Sequence, residues 1–462
     1  AVTAPPTGGS VVLLVDGVVT AATYNAASGS VTPISPLSDG VHTISYQVAD
    51  AAGNTSSASA TLSVTVDTAA PATPAAPDMT SATDTGASAS DNITSVAQPE
   101  FAVTAPPTGG SVVLLVDGVV TAATYNAASG SVTPISPLPE GVHTISYQVA
   151  DAAGNTSGVS ATLSVTIDTV APSTPAAPDM TAASDSGASN SDNITSNTTP
   201  AFSVTAPPAG GSVVLLVDGV AVAASYNATA GTVTPNSPLG NGSHNISYQL
   251  VDAAGNTSGA SPSLGMTIDT LAPVVPTVTP YTSNSLSPVI SGGAVLNTGD
   301  VLSVTVNGAT YTVDPAVSAT GISYSNGVWS INTATAAPAG GTLGTFVSGQ
   351  SYNVVAIATD LAGNSSTDTS TNELLVDTTL PSVSIPEGPV VSSAEVTSGG
   401  GTPVVVTLPA NAQAGDVITT VVTPPNGGTA ITLTTTLSAN DISAGSISQL
   451  IASASLTGEG DW

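Results

Sequence analysis

Carboxylate side chains recur at fixed positions along this chain, and clustered oxygen ligands are what hard divalent cations bind in proteins. The 462 residues include 30 Asp and Glu but no Lys or Arg. The acidic groups therefore lack the basic partners that they normally find, because the polypeptide encodes none. Zinc is disfavoured, since the chain has only 3 His and no Cys. Calcium fits best, because irregular loops suit its flexible coordination.

The candidate ligands occupy three recurring places. A run of the form Asp-x-Gly-x-Ser-x-x-Asp-Asn, here called the acidic loop, begins at Asp84 and again at Asp185. An Asp-x-Ala-Gly-Asn sequence, here called the AGN turn, begins at Asp50, Asp151, Asp252 and Asp360, and an Asp after Val or Ile closes each repeat. The candidate calcium ligands are Asp67, Asp84, Asp91, Asn92, Asp151, Asp168, Asp185, Asp192, Asn193, Asp252, Asp269 and Asp360.

Internal repeats determine how these residues are positioned. Residues 1–37 recur unchanged as residues 102–138, and a diverged third copy follows at the same spacing of 101 residues. A period of this length is typical of tandem independent domains rather than of a solenoid. We expect five domains, at residues 1–67, 71–168, 172–269, 273–377 and 381–462, of which the first and last are incomplete. The chain is thus expected to be a window on a longer protein.

Within a repeat, apolar and polar residues alternate with a period of two. Residues 42–48 and 61–66 both alternate in this way, which predicts half-buried strands. Asp-Gly and Asn-Gly pairs supply tight turns between them. About seven short strands in each stretch of roughly 100 residues predict an all-β chain of tandem Ig-like β-sandwiches, strung end to end.

The sandwich geometry predicts where the carboxylates meet. The last strand of a repeat runs from the AGN turn to the exit, so the AGN turn should lie beside the exit of the preceding repeat. We expect the first junction to gather Asp67, Asp84, Asp91 and Asp151, and the next to gather Asp168, Asp185, Asp192 and Asp252. Two carboxylates about 5 Å apart repel by roughly 3 kcal/mol at an effective dielectric near 20. A shared calcium ion would remove that repulsion. The competing interpretation is that the AGN-turn Asp is only a turn former.

The acidic loop, the Gly-Val-His-Thr-Ile strand at residues 40–44, the AGN turn and the closing Val-Asp-Thr together resemble the bacterial Ig-like repeats of giant secreted adhesins. These include biofilm-associated proteins and type I-secreted RTX adhesins. The resemblance implies an extracellular, cell-surface stalk whose domains are spacers, with calcium stiffening the string. It also implies that neighbouring domains are partners and that host or abiotic surfaces are contacted elsewhere.

Composition excludes several other functions. Without cations the chain cannot neutralise nucleic-acid phosphates or bind anionic lipid through a basic patch. A Lys Schiff base, a P-loop Lys and an arginine finger are equally excluded. The apolar run at residues 11–15 is far too short to span a membrane. No nucleophile elbow is present, and we expect no enzyme.

The remaining distinctive residues favour structural roles. His42, His143 and His244 recur once per repeat and are interpreted as partly buried strand residues. Tyr46, Tyr147 and Tyr248 should pack in the core or bond to backbone, as in a tyrosine corner. We interpret Asp16, Asp117 and Asp218 as plain hairpin turns, and Trp329 and Trp462 as core residues. Two alternatives to a stalk stay open: a self-assembling surface filament, and a glycan- or protein-binding module.

Overall fold

The computed structural model describes residues 1–379, 382–384, 401–408, 412–423 and 429–452. Those residues form β-strands in several separate sheets, with one short helix, so the predicted all-β, Ig-like class is confirmed. Trp462 lies outside the described residues. Contacts divide the chain into two compact units, which are described separately. The first comprises Ala1–Asp179, Ala201–Ser237 and Asn245–Gly265, and the second comprises Met180–Pro200, Pro238–His244 and Met266–Trp462. The division into five domains stays a prediction.

Repeat 2 denotes the predicted domain of residues 71–168, whose strands form two sheets. The strands of repeat 1 are β1 (Ser10–Val15), β2 (Val18–Thr20), β3 (Ala22–Asn25), β4 (Ser30–Pro33), β5 (Gly40–Ala49) and β6 (Leu62–Val66). Those of repeat 2 are β7 (Asp78–Met79), β8 (Ile93–Thr94), β9 (Phe101–Ala102), β10 (Ser111–Val116), β11 (Val119–Thr121), β12 (Ala123–Asn126), β13 (Ser131–Pro134), β14 (Gly141–Ala150) and β15 (Leu163–Ile167). One sheet of repeat 2 has the order β11-β10-β14-β15-β8, and the other has the order β12-β13-β9-β7.

Alternation along β14 places the core of repeat 2 between these sheets. Ile145 and Tyr147 are fully buried, while Val142 and Thr144, at the alternate positions earlier in the strand, are exposed. From the facing sheet, Met79 and Phe101 join the same apolar cluster. The period of two in the sequence therefore records which side chains face the opposite sheet.

Repeat 3 repeats this pattern of pairing. Its strands are β16 (Asp179–Met180), β17 (Ile194–Thr195), β18 (Phe202–Ser203), β19 (Ser212–Val217), β20 (Val220–Val222), β21 (Ala224–Asn227), β22 (Thr232–Pro235), β23 (Gly242–Val251) and β24 (Leu264–Ile268). In the first unit β19 pairs with β20 and β23, as β10 does with β11 and β14. In the second unit β17 pairs in parallel with β24.

Repeat 4 is a larger sandwich around a single core. Its strands are β25 (Thr277–Val278), β26 (Tyr281–Ser283), β27 (Val289–Gly293), β28 (Val301–Val306), β29 (Ala309–Val313), β30 (Ile322–Ser325), β31 (Val328–Asn332), β32 (Gly340–Gly341), β33 (Gln350–Tyr352), β34 (Val354–Thr359), β35 (Ser365–Thr367) and β36 (Leu374–Val376). Trp329 is fully buried in that core, which confirms its predicted packing role.

The described part of the last segment contains β37 (Ser382–Ser384), β38 (Gly401–Thr407), β39 (Val417–Val422), β40 (Ile431–Thr436), a helix α1 (Ala439–Ala444) and β41 (Ser446–Ala452). β37, β38 and β41 form one sheet, and β39 pairs with β40. Ser438 caps α1 in a capping box with Asp441. In the described part of the chain, no helix has both the length and the hydrophobicity that a membrane-spanning segment needs.

Candidate functional site

The AGN turn is closed by its own carboxylate. In repeat 2, Asp151 Oδ1 accepts hydrogen bonds from the backbone N–H groups of Ala153 and Asn155, both at 2.9 Å. Asp151 Oδ2 accepts from Asn155 Nδ2 at 2.8 Å. The Asn155 side chain is the largest cause of a lowered Asp151 pKa. The turn-forming role of this Asp is therefore present, and a ligand role for it stays a prediction.

The same Asn side chain reaches across to the preceding repeat. Asn155 Nδ2 donates to the backbone oxygen of Asp67 at 2.9 Å. Asn256 Nδ2 donates to Asp168 O at 2.7 Å, and Asn364 Nδ2 donates to Asp269 O at 2.8 Å. The predicted placement of each AGN turn beside the preceding exit is correct. We call each such meeting place a joint, numbered by the repeats that it connects.

The acidic loop was predicted at the entry end of its own repeat, but it lies at the exit end. β8 pairs in parallel with the end of β15, with Ile93 opposite Thr166, so the loop before β8 lies at the exit of repeat 2. Thr85 Oγ1 donates to Ala254 O in the AGN turn of repeat 3 at 2.6 Å. The physical reason is that β7 pairs with β9 in the second sheet before the loop begins, which carries the chain along the sandwich.

The predicted groupings change accordingly. Asp84 and Asp91 do not join Asp67 and Asp151 at joint 1/2. They lie at joint 2/3, whose other two acidic residues, Asp168 and Asp252, were predicted there. Asp185 and Asp192 likewise lie at joint 3/4 with Asp269 and Asp360, since Ser186 Oγ donates to Ala362 O at 2.5 Å.

Side-chain bonds within the acidic loop hold its shape. Asp84 Oδ2 accepts from the backbone N–H of Asn92 at 3.1 Å, and Asp91 Oδ1 accepts from that of Ile93 at 3.1 Å. Asn92 takes a left-handed conformation, with φ of 61°. Asn193 has the same φ, and Asp185 and Asp192 make the equivalent bonds in repeat 3. An Asp at each end of the loop thus closes it.

One oxygen of the first loop Asp is buried without a hydrogen-bond partner. Asp84 is 4% exposed and Asp185 is 5% exposed, and the Oδ1 atom of each has no partner. Burial raises the pKa of Asp84, and the negative charges of Asp91 and Asp78 raise it further. A buried carboxylate oxygen with no donor is costly unless a cation or a proton satisfies it.

The closing Asp of each repeat also orders the linker. Asp168 Oδ1 accepts from Val170 N at 3.1 Å, and Asp67 and Asp269 make the same bond two residues ahead. Glu140 then accepts from Thr169 N at 3.0 Å. The linker leaving a repeat is therefore fixed at two points.

The residues at joints 2/3 and 3/4 fit a calcium ion in part. Asp84 and Asp185 each supply a buried, unsatisfied oxygen. The residue that follows each of them bonds to a backbone carbonyl of the next repeat, and backbone carbonyls are among the ligands that calcium takes. Among the described residues, however, no three His, Cys, Asp or Glu side chains form a metal-binding group. Any ion here would be held by one or two carboxylates together with neutral oxygens.

A His–Asp bridge at the exit end was missed in the sequence. His143 Nδ1 lies 2.8 Å from Asp117 Oδ2, and His143 Nε2 lies 3.0 Å from Pro139 O. Both ring nitrogens therefore face acceptors, and Asp117 is the main cause of a raised His143 pKa. Asp117, predicted as a plain turn residue, does sit in the turn but also holds this ring. The signal was available, because an Asp-Gly pair precedes the His by 26 residues in each of repeats 1 to 3.

The tyrosine prediction is confirmed. Tyr147 is fully buried, and its hydroxyl oxygen accepts from the backbone N–H of Thr104 at 2.8 Å. Tyr248 does the same with Thr205 at 2.8 Å. These bonds tie the loops that follow β9 and β18 to β14 and β23.

Comparison with protein families gives two kinds of match. A family model described as bacterial Ig-like domain matches residues 5–68, 70–169 and 171–270, which is more than half of the chain. A second, described as bacterial Ig-like domain (group 3), matches residues 343–443. A search of curated proteins found no match.

Solved structures give weaker likenesses. A structure reported as "Structural insight into host cell surface retention of a 1.5-MDa bacterial ice-binding adhesin" is 20% identical, covering 65% of this chain and 97% of that one, with a TM-score of 0.24. The fibronectin(III)-like modules of Clostridium thermocellum CbhA are 13% identical, covering 43% of this chain and 91% of theirs, with a TM-score of 0.25. At these TM-scores the likenesses carry no argument about function.

Proposed function

The chain belongs to the bacterial Ig-like domain family, and we propose that it is a spacer segment of a large extracellular adhesin, stiffened by calcium at its joints. The observation that supports a spacer most strongly is that one hydrogen-bonded joint recurs. The Asn of the AGN turn meets the exit carbonyl of the preceding repeat at three successive places. Repeated copies with repeated joints suit spacing, whereas recognition of a target favours one distinct domain.

Charge supports an extracellular surface role. The net charge of −30 repels anionic surfaces, and the absence of Lys and Arg removes every trypsin cleavage site. We infer no catalysis in this segment. Adhesion, including any role in a biofilm, would then belong to parts of the protein that the spacer holds away from the cell.

We propose calcium because Asp84 and Asp185 each have one buried carboxylate oxygen without a hydrogen-bond partner. At joint 2/3 the candidate ligands are Asp84, Asp91, Asn92, Asp168 and Asp252, of which one or two carboxylates would hold the ion together with neutral oxygens. At joint 3/4 they would be Asp185, Asp192, Asn193, Asp269 and Asp360, and Asp67 and Asp151 would serve joint 1/2. A bound divalent cation would neutralise repelling carboxylates and reduce hinge motion.

Small-angle X-ray scattering of the whole chain tests this proposal. Calcium should lengthen the particle relative to EDTA, and Asp84→Asn with Asp185→Asn should remove that response. Asp314→Asn is the matched control, because Asp314 accepts only within its own turn, from Ala316 N at 2.8 Å. Scattering curves that coincide with and without EDTA would reject calcium stiffening.

A further inference from the structure

Two glycines in the acidic loops lie directly against the next repeat. Gly86 has φ of +102°, and a Cβ built on it would lie 1.9 Å from Ala253 O. Gly187 has φ of +100°, and its Cβ would lie 2.0 Å from Leu361 O. Both contacts are with backbone, which cannot rotate away as a side chain can. Only glycine is compatible with this approach.

Hydrogen bonds accompany the close approach. The hydroxyl next to each glycine, on Thr85 or Ser186, donates to the following repeat at 2.6 Å or 2.5 Å. The accepting carbonyls belong to Ala254 and Ala362, the third residues of their AGN turns. Each acidic loop therefore contacts its neighbour through a flat glycine backbone and one hydroxyl donor.

We propose that the acidic loop of repeats 2 and 3 is a docking socket for the AGN turn of the next repeat, and that this contact sets the geometry of the joint before any metal binds, so that calcium would further stiffen a joint that is already docked. The proposal deepens the spacer function and rests on it. The partner is a tight Asp-x-Ala-Gly-Asn turn whose second residue is variable, since Ala253 and Leu361 both fit. The third residue is Ala in both turns, and it is fully buried in joint 2/3, where Ala254 is 0% exposed.

The fourth residue of the turn is restricted by the socket. A Cβ on Gly255 would lie 3.0 Å from Gly86 N, and one on Gly363 would lie 3.0 Å from Gly187 Cα. Gly154 has the same φ as Gly255, +94°, yet a Cβ there meets nothing within 4 Å. Its partner, repeat 1, carries no acidic loop in this chain. A substitution at Gly154 therefore introduces only the backbone strain of a positive φ, whereas a substitution at Gly255 also disturbs the contact with Gly86.

Distance measurements between spin labels on the full chain test the socket. Because the chain contains no Cys, the substitutions Ala128→Cys and Thr229→Cys create the label sites at exposed positions of repeats 2 and 3. In EDTA the parent should give one narrow distance distribution. Gly255→Ala and Gly86→Ala should lose the narrow peak, whereas Gly154→Ala should keep it.

Two further variants guard against misfolding. Thr85→Ser keeps the hydroxyl that Ser186 supplies naturally and should preserve the narrow peak, while Thr85→Ala should broaden it. Circular dichroism of each variant establishes that the sandwiches are intact. A broad parent distribution in EDTA that narrows only with calcium would overturn the socket and leave the calcium proposal standing. A narrow peak retained in Gly86→Ala would overturn the socket equally.

Discussion

Asn256 donates its Nδ2–H to the backbone oxygen of Asp168 at 2.7 Å, and to Asp252 Oδ2 in its own turn at 3.0 Å. One side chain thus closes the AGN turn and binds the exit of the preceding repeat. The sequence pattern of the turn and the contact across the joint therefore have a common cause. A turn whose Asn points elsewhere would lose both.

Replacing Asn256 by Ala should lower the free energy of unfolding by more than replacing Asn54 by Ala. Both variants lose a bond to the turn carboxylate, but Asn256→Ala also leaves Asp168 O without this donor. The additional loss should be about 1 kcal/mol, the net value of an ordinary hydrogen bond. Chemical denaturation of the two variants measures the difference. Equal losses would mean that the bond across joint 2/3 contributes nothing.

Asp84→Asn should raise the melting temperature in EDTA but reduce the further increase that calcium gives. In EDTA the substitution removes a buried charge that Asp91 and Asp78 repel, so the melting temperature should rise. In calcium it removes a proposed ligand, so the increase in melting temperature that calcium gives the parent should shrink. Asp314→Asn should change neither value appreciably. A destabilised Asp84→Asn in EDTA would show that the ionised carboxylate is favourable by itself.

The His143–Asp117 bridge should make stability depend on pH. The His143 pKa is raised above 6.5 by Asp117, so its contribution is complete below the unfolded-state pKa and is lost as pH rises through the folded-state pKa. The Asp117 pKa is lowered, mainly by Thr144 N–H and His143, so its contribution is lost only as pH falls through that lowered pKa in acid.

Denaturation at several pH values between about 6 and 8.5 measures the His143 contribution. The parent should lose stability as pH rises, and His143→Gln should flatten that part of the profile. A parent profile that rises with pH over this range would contradict the bridge.

Tyr147→Phe should destabilise repeat 2 by about 1–3 kcal/mol, because the partly buried N–H of Thr104 loses its acceptor. Tyr46→Phe is the natural comparison, since Tyr46 accepts from Thr3 N at 2.9 Å in a more exposed setting. Its loss should be smaller, because water can replace the hydroxyl. Thermal unfolding followed by circular dichroism distinguishes the two, and equal losses would contradict the burial argument.

Strand periodicity and the repeat made most of the fold predictable. Alternation around Ile145 and Tyr147 identifies a buried face because strand side chains point alternately to the two sides of a sheet. These are local signals, which depend on neighbours in sequence rather than on the route of the chain.

The position of the acidic loop was not predictable from the same signals. Asp84 is only 17 residues beyond Asp67 in sequence, but the intervening chain contributes β7 to a sheet and reaches the other end of the sandwich. No local pattern records that path. Nor does the sequence show that Gly86 serves a neighbour, because a glycine required by a distant carbonyl looks like any turn glycine.

The central claim is that a cation occupies the joint beside the buried oxygen of Asp84. The most direct measurement is a crystal structure of the chain grown with calcium, with anomalous scattering recorded. We predict an anomalous peak within ligand distance of Asp84 Oδ1, about 2.3–2.6 Å, and an equivalent peak at Asp185 Oδ1. Both oxygens refined without any peak, while calcium is seen elsewhere in the crystal, would contradict the account.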